Sequence, residues 1–257
     1  MQLRKNRFKE AIQSGQLQLG LWSMTRDPAL TEMLAGCGYD WINLDCEHTP
    51  NHIDRVLSML QAIEPYDTEA IVRATHLDPA EIKQLLDAGA RNIVIPYVQT
   101  VEEAQLAAAS VEYPPKGIRG VAGSTRASRF GAVTDYVKTA RDNICLIVQI
   151  ETADAMSRIE EIAAVDGIDA MFIGPADLAA SLGHPGDVKH PEVQAAIVEA
   201  IQRITAAGKP AGFLSGDQEM LDKVVAAGGL MMGIDIDMIL LRRAALERLE
   251  TCRKWLD

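Results

Sequence analysis

Eight short apolar runs, each followed by a stretch of helical periodicity, predict an α/β fold of the (β/α)8 TIM-barrel kind. Most of these runs are continuously hydrophobic rather than alternating, as parallel strands covered on both faces require. The rival architecture, a doubly wound open sheet, usually carries a glycine-rich phosphate loop after an early strand. Neither GxGxxG nor GxxxxGK[ST] occurs here. No composition break divides the chain, so one barrel domain over residues 1–257 is expected.

The elements follow in order. A helix near Asn6–Ser14 precedes the first strand and is placed to plug the barrel bottom. The expected strands are Gln18–Ser23, Trp41–Leu44, Ala70–Arg73, Asn92–Val98, Cys145–Ile150, Ala170–Ile173, Ala211–Leu214 and Leu230–Gly233. Between them, Asp27-Pro28 and Asp78-Pro79 set an N-cap aspartate before a proline at the first helical position. Thr100 with Glu103, and Ser215 with Gln218, have capping-box spacing. Gly36, Gly89, Gly208 and Gly228 are expected to end helices in the left-handed conformation. Two connections exceed simple links. Pro114–Asn143 carries Arg119, Arg126 and Arg129, and Ser181–Pro191 carries His184 and His190. Loops of this length are commonly functional or mobile, with a surface excursion or an oligomer contact as the alternative.

Composition narrows the partners. A net charge of −11, from 25 basic and 36 acidic residues, argues against nucleic acid or an anionic membrane surface. It leaves small anions open, because these respond to the local field of a cleft. No apolar stretch reaches the roughly 18 residues of a membrane span, and the polar start MQLRKNRFKE does not read as a signal peptide. Cys37, Cys46, Cys145 and Cys252 are widely spaced, which suggests reduced thiols and a cytoplasmic setting. Cys46 lacks a dedicated base and reads as a small apolar filler rather than a nucleophile.

The chemistry gathers at strand ends. Asp45, Glu47 and His48 close WINLDCEH, Glu151 closes ICLIVQIE, and Asp177 follows AMFIGPAD. In a parallel barrel all strand carboxyl ends share one face, so these residues can meet in one pocket. Glu151 and Asp177 lie one β/α unit apart, and two carboxylates with water and a bidentate substrate suit Mg²⁺ or Mn²⁺. Capping the next helices is their alternative role, which Gly174-Pro175-Ala176 weakens by bringing backbone close to a ligand. No HxH, HExxH or paired cysteine suggests a closed zinc site. Arg73 ends its strand, where it can fork two donors onto a carboxylate or enolate oxygen, or simply form a salt bridge. His48 follows Asp45 closely, so the acid can orient its ring as a base. His52 falls in a helix and His76, His184 and His190 in loops, read as solvated, with His76 and His184 as pocket neighbours. All nine lysines fall in helices, loops or terminal segments, which excludes a Schiff-base lysine on a barrel strand. Carbonyl chemistry would then need a metal as electron sink.

The segments DCEHTPN, VR at Val72-Arg73, DPAEIKQLLDAGA, PPKGIRG, QIET and GPADLAASLG together resemble the HpcH/HpaI aldolases, the metal-dependent class II pyruvate aldolases. The resemblance spans most of the chain in order. It implies reversible cleavage of a 4-hydroxy-2-oxo acid to pyruvate and an aldehyde through a metal-stabilised enolate, with no nucleotide. Oxaloacetate decarboxylation or a CoA-thioester lyase reaction on the same core is the alternative. It implies His48 as general base with Asp45 as its partner, and Arg73 as transition-state stabiliser. Glu151 and Asp177 would hold Mg²⁺, Mn²⁺ or Co²⁺. Gln149, Gly174, Pro175, Ala176, Asp177 and Leu214 would surround the 2-oxo acid. Asp87 would reach the histidine from a neighbouring subunit of a hexamer, a trimer of dimers with exchanged C-terminal helices, for which Met238–Trp255 has the apolar spacing. Cys46 departs from the family pattern in a way the site should tolerate, whereas Ala74-Thr75-His76 after Arg73 leaves the aldehyde end open and not the pyruvate end.

Overall fold

Alternation within each apolar run decides which side chains fill the barrel and which meet the helices. The computed structural model describes residues 3–256. Its strands are β1 Gln18–Ser23, β2 Trp41–Asp45, β3 Glu69–Arg73, β4 Asn92–Ile95, β5 Cys145–Ile150, β6 Ala170–Ile173, β7 Ala211–Leu214 and β8 Gly229–Ile236. Each pairs in parallel with the next, and β8 returns to β1, so the barrel is closed.

The fourth strand stops at Ile95, short of Val98, because Pro96 offers no N–H to the ladder and Tyr97 turns to φ 58°. The eighth runs on to Ile236, held in register opposite Trp22 of β1. Asp27 and Asp78 cap their helices, and Thr100 with Glu103 forms the full capping box. Ser215 does not cap: Asp217 does, accepting from the amides of Glu219 and Met220. Gly89, Gly208 and Gly228 are left-handed as expected, whereas Gly36 stays right-handed at φ −71° and Gly38 takes the left-handed turn.

Two cores result. Leu146, Val148 and Ile150 of β5 face the helices, while Cys145 and Ile147 face the barrel interior with Trp22, Trp41, Ile71, Val94, Phe172 and Met231. The N-terminal helix Arg7–Gln13 closes the bottom, its Phe8 edge-on to Trp41 at 6.3 Å. Asn6 caps this helix and ties it to Asn92 of β4 at 2.7 Å. The same period of two carries onward to the top. Gln149 and Glu151 continue the inner face of β5, Asn43 and Asp45 that of β2, and Arg73 that of β3.

The last helix, Asp237–Arg253, behaves differently. Asp237 is its one buried residue, and Met238, Ile239, Leu241, Leu246 and Leu249 are about half exposed. Among the described residues no helix is long and apolar enough to cross a membrane.

Candidate active site

The strand carboxyl ends open into a cavity of about 560 Å³, within the range of small-molecule sites. Asp45, His48, Arg73, Gln149, Glu151, Gly174, Pro175, Ala176, Asp177 and Leu214 all line it. Trp22, Phe172 and Phe213 add apolar wall.

Arg73 is the organising cation. Its Nε and Nη2 donate to the two carboxylate oxygens of Asp45 at 2.9 and 2.7 Å. Its Nη1 lies 2.7 Å from Glu47 Oε2, an ion pair without hydrogen-bond alignment. The guanidinium carbon sits 4.7 Å over the Trp22 ring, whose Nε1 donates to Asp45 at 3.4 Å. Burial opposes charge on Asp45, yet the paired Arg73 holds its carboxyl below the ordinary value. Asp45 is thereby committed to Arg73. The Asp45–His48 side-chain pairing implied by the resemblance is not formed: Asp45 meets only the His48 backbone N–H, at 3.4 Å. The His48 ring, 59% exposed, approaches Glu47 instead, at 3.9 Å.

Glu151 is buried and held at both oxygens. Tyr97 N–H donates to Oε1 at 2.7 Å, and Gln149 Nε2 donates to Oε2 at 2.6 Å. Burial, then the nearby Glu47 and Asp177 carboxylates, push the Glu151 carboxyl up to about 7. Glu47 is also raised, first by burial. A side chain at Gly174 would overlap Glu151 Oε2 and Gln149 Nε2. The close backbone approach expected at that turn therefore serves the carboxylate itself. With Nε2 turned to Glu151, Gln149 presents its Oε1, buried and without a partner. Beyond the Arg73–Asp45 pair, Glu47, Glu151, Asp177 and the orphaned Gln149 acceptor make an oxygen-rich cluster, which suits a hard divalent cation.

Other expectations resolve differently. Asp87 does not line the cavity; it accepts from Arg119 at 2.7 Å, a fully buried guanidinium stacked 4.5 Å over Tyr113. Arg126 and Arg129 both grip Glu64, and Arg126 also donates to Ala88 O at 3.0 Å. The arginine loop thus braces the outer helices of its own chain. Cys46 points to the outer core and burial pushes its thiol up to about 12, the environment of a filler. Among the described lysines, Lys189 lines the cavity, and its exposed ammonium pairs with Asp217 at 2.8 Å.

Three contributors gain their role only from the folded site. Trp22 was legible as an inward position two residues after Gly20 on β1. Glu47 stood at a strand end but carried no assignment. The Tyr97 amide left no signal, since any residue supplies an N–H and only the φ reversal aims this one.

A closed parallel barrel with an acidic, arginine-centred pocket at its strand carboxyl ends defines a barrel enzyme. The family model described as HpcH/HpaI aldolase/citrate lyase matches residues 18–244. The chain is 51% identical over 248 residues to the hydroxypyruvate/pyruvate aldolase of Sagittula stellata, covering 96% of this chain and 98% of that one. It is 47% identical over 241 residues to the 4-hydroxy-2-oxo-heptane-1,7-dioate aldolase of Klebsiella pneumoniae subsp. pneumoniae, covering 93% and 91%. A crystal structure of an HpcH/HpaI aldolase/citrate lyase family protein from Burkholderia cenocepacia J2315 superposes with a TM-score of 0.93 at 37% identity, covering 97% and 100%. The chain belongs to the HpcH/HpaI aldolase/citrate lyase family. It is a carbon–carbon lyase of the aldolase type.

Proposed function

We propose that the protein cleaves 4-hydroxy-2-oxo acids reversibly to pyruvate and an aldehyde, with Mg²⁺, Mn²⁺ or Co²⁺ held by Glu151 and Asp177. The observation that carries this reading is the buried cluster of carboxylates around Glu151, where burial first, and then the neighbouring Glu47 and Asp177, push its carboxyl up to about 7. The bound ion supplies a Lewis acid for the keto oxygen of the 2-oxo acid.

The chain's own residues do the rest. Arg73 donates two N–H groups to Asp45, and its remaining N–H groups, on the side of Glu47, are those that can point at an oxygen that gains negative charge. Asp45 and the Trp22 face hold that guanidinium still, so Asp45 acts through Arg73. His48, exposed at the rim, takes the proton from the 4-hydroxyl in cleavage and returns it in condensation, a role worth about 10²- to 10⁴-fold. Gln149 fixes the Glu151 carboxylate and faces the 2-oxo acid beside Gly174–Asp177 and Leu214. Trp22 and Phe172, 5.5 Å apart, make the wall that keeps bulk water from the nucleophilic carbon.

The exposed apolar residues of Asp237–Arg253 support exchange of this helix between copies in a hexamer built from dimers. Asp87 would then approach His48 of a neighbour. Widely spaced free cysteines fit a cytoplasmic enzyme.

The direct test is exchange of the pyruvate C3 protons in deuterated water. Exchange that requires Mn²⁺ or Mg²⁺ and stops on chelation is expected; exchange indifferent to chelation rejects the metal role. His48→Ala should keep C3 exchange measurable while losing retro-aldol turnover, and normal turnover would place the base elsewhere. Light scattering of the intact protein tests the assembly: a monomer of 28.0 kDa rejects helix exchange.

A further inference from the structure

We propose a second metal site on the pocket rim, formed by His184, His190 and Glu192 and selective for a transition ion of the Zn²⁺ class. One ligand atom from each lies within 4.8 Å of the other two. His184 Nε2 is 2.8 Å from Glu192 Oε2, and the two imidazoles stack with centroids 3.5 Å apart at 16°, so one ring turns about its own side-chain bonds to aim its in-plane lone pair at a shared ion. Among the described residues this is the set of three metal-ligating side chains that comes so close.

The backbone builds the arrangement. Gly183 and Gly186 turn at positive φ, which a residue with a side chain adopts only at a cost. Three backbone hydrogen bonds then stitch the turn: His184 N–H to Ala179 O at 2.8 Å, Asp187 N–H to His184 O at 3.0 Å, and His190 N–H to Asp187 O at 3.1 Å. Pro191 opens the 16-residue helix Pro191–Ala206, whose N-cap is His190, with Nδ1 accepting from Glu192 N–H at 3.3 Å. The main chain thus places both histidines, and Glu192 holds each ring, through its carboxylate at His184 and its N–H at His190. The nearby Lys189 is neutralised by Asp217 at 2.8 Å and does not oppose a cation.

Two imidazoles and one carboxylate make the donor set of an open zinc site, with a position left for water. Nitrogen donors discriminate against Mg²⁺ and favour later first-row ions. This is the opposite preference to the all-oxygen pair Glu151 and Asp177. When the ion binds, it takes the place of the hydrogen between His184 Nε2 and Glu192 Oε2, and that hydrogen moves to Nδ1 of the same ring. The ion then staples the loop to the helix. That loop and helix supply Val188, Lys189, Gln194 and Ile197 to the cavity wall, so the staple stiffens the side of the pocket away from Arg73. The inference does not depend on which reaction the pocket runs.

The test is calorimetric titration of the full-length protein with Zn²⁺ alone, in excess Mg²⁺ so that the oxygen site is filled. One Zn²⁺ per chain is expected. His184→Ala and His190→Ala should each weaken it by about tenfold to a hundredfold, and Glu151→Gln should leave it unchanged. His184→Ala should keep the wild-type melting temperature, His190→Ala should melt a few degrees lower because it also loses the N-cap acceptor, and both should keep Mg²⁺-supported turnover, which separates lost ligation from lost folding. Zn²⁺ binding that survives both histidine variants, or that disappears in Glu151→Gln, overturns the site. A histidine variant that melts earlier than this is replaced by His184→Gln, for which the same loss of Zn²⁺ binding is required.

Discussion

The two ends of the barrel treat buried charge in opposite ways. At the amino end the buried charges Lys9, Glu69 and Asp169 each have an opposite charge beside them. Lys9 Nζ lies 3.1 Å from Asp169 and donates to Ile144 O at 2.7 Å, and Arg141 pairs with the same aspartate at 3.0 Å. Glu69 takes Arg91 at 2.6 Å. At the carboxyl end Asp45 and Glu47 both lean on Arg73, and burial, with the neighbouring Glu47 and Asp177 carboxylates, raises Glu151 to about 7. A protein selected only for stability would not leave three acids so poorly compensated. The deficit marks where a ligand completes the structure, whereas the balanced end holds the fold together.

Substitutions can break this contrast. The largest effect is expected from Glu151→Gln, which removes a cation ligand: turnover should fall about 10³-fold, and Mn²⁺ affinity, followed by its paramagnetic signal, by at least about tenfold. Near-normal Mn²⁺ binding would show that the deficit does not draw a cation. Arg73→Lys keeps the charge but loses the fork, and steady-state kinetics should show kcat reduced about 10²-fold with the fold intact.

The next effect is on stability and carries a sign. In the metal-free fold Glu151 ionises near 7, against an ordinary 4.5 when unfolded. Between those values the folded state keeps a proton that the unfolded chain has lost, so stability falls as pH rises from about 4.5 to about 7 and then levels. The gap amounts to about 3 kcal/mol at most. Melting curves across that range should slope for the wild type and flatten for Glu151→Gln; parallel curves would remove Glu151 from the account. Smallest is Lys9→Met at the balanced end. It should cost about 1–3 kcal/mol, because Asp169 keeps Arg141, while Mg²⁺-supported turnover stays unchanged. Lost turnover at wild-type stability would blur the division of labour between the two ends.

Much of this site was readable from strand ends. Asp45, Arg73, Gln149, Glu151 and Asp177 all face the cavity because an apolar run names its strand and a period of two names the inward side. Pairing was not readable. Asp45 precedes His48 by three positions, yet Arg73, from the neighbouring strand in direct register with Asp45, takes both of its oxygens. A guanidinium fork outcompetes an exposed imidazole for a buried carboxylate, and adjacency along the chain says nothing about that contest. The arginine loop repeats the lesson, since Arg119 finds its carboxylate 32 positions back, at Asp87 of the same chain.

By itself the amino-acid order determined the eight strands, the caps at Asp27, Asp78 and Thr100, and the set of polar groups gathered at one face. These depend on short-range periodicity and on turn chemistry, which are local properties. Only the folded barrel decided which of those groups hold one another, that Tyr97 turns its amide onto Glu151, and that Glu151 is raised while Asp45 is lowered. Those outcomes depend on distance and burial, and both come into being when separate strands close around a common interior.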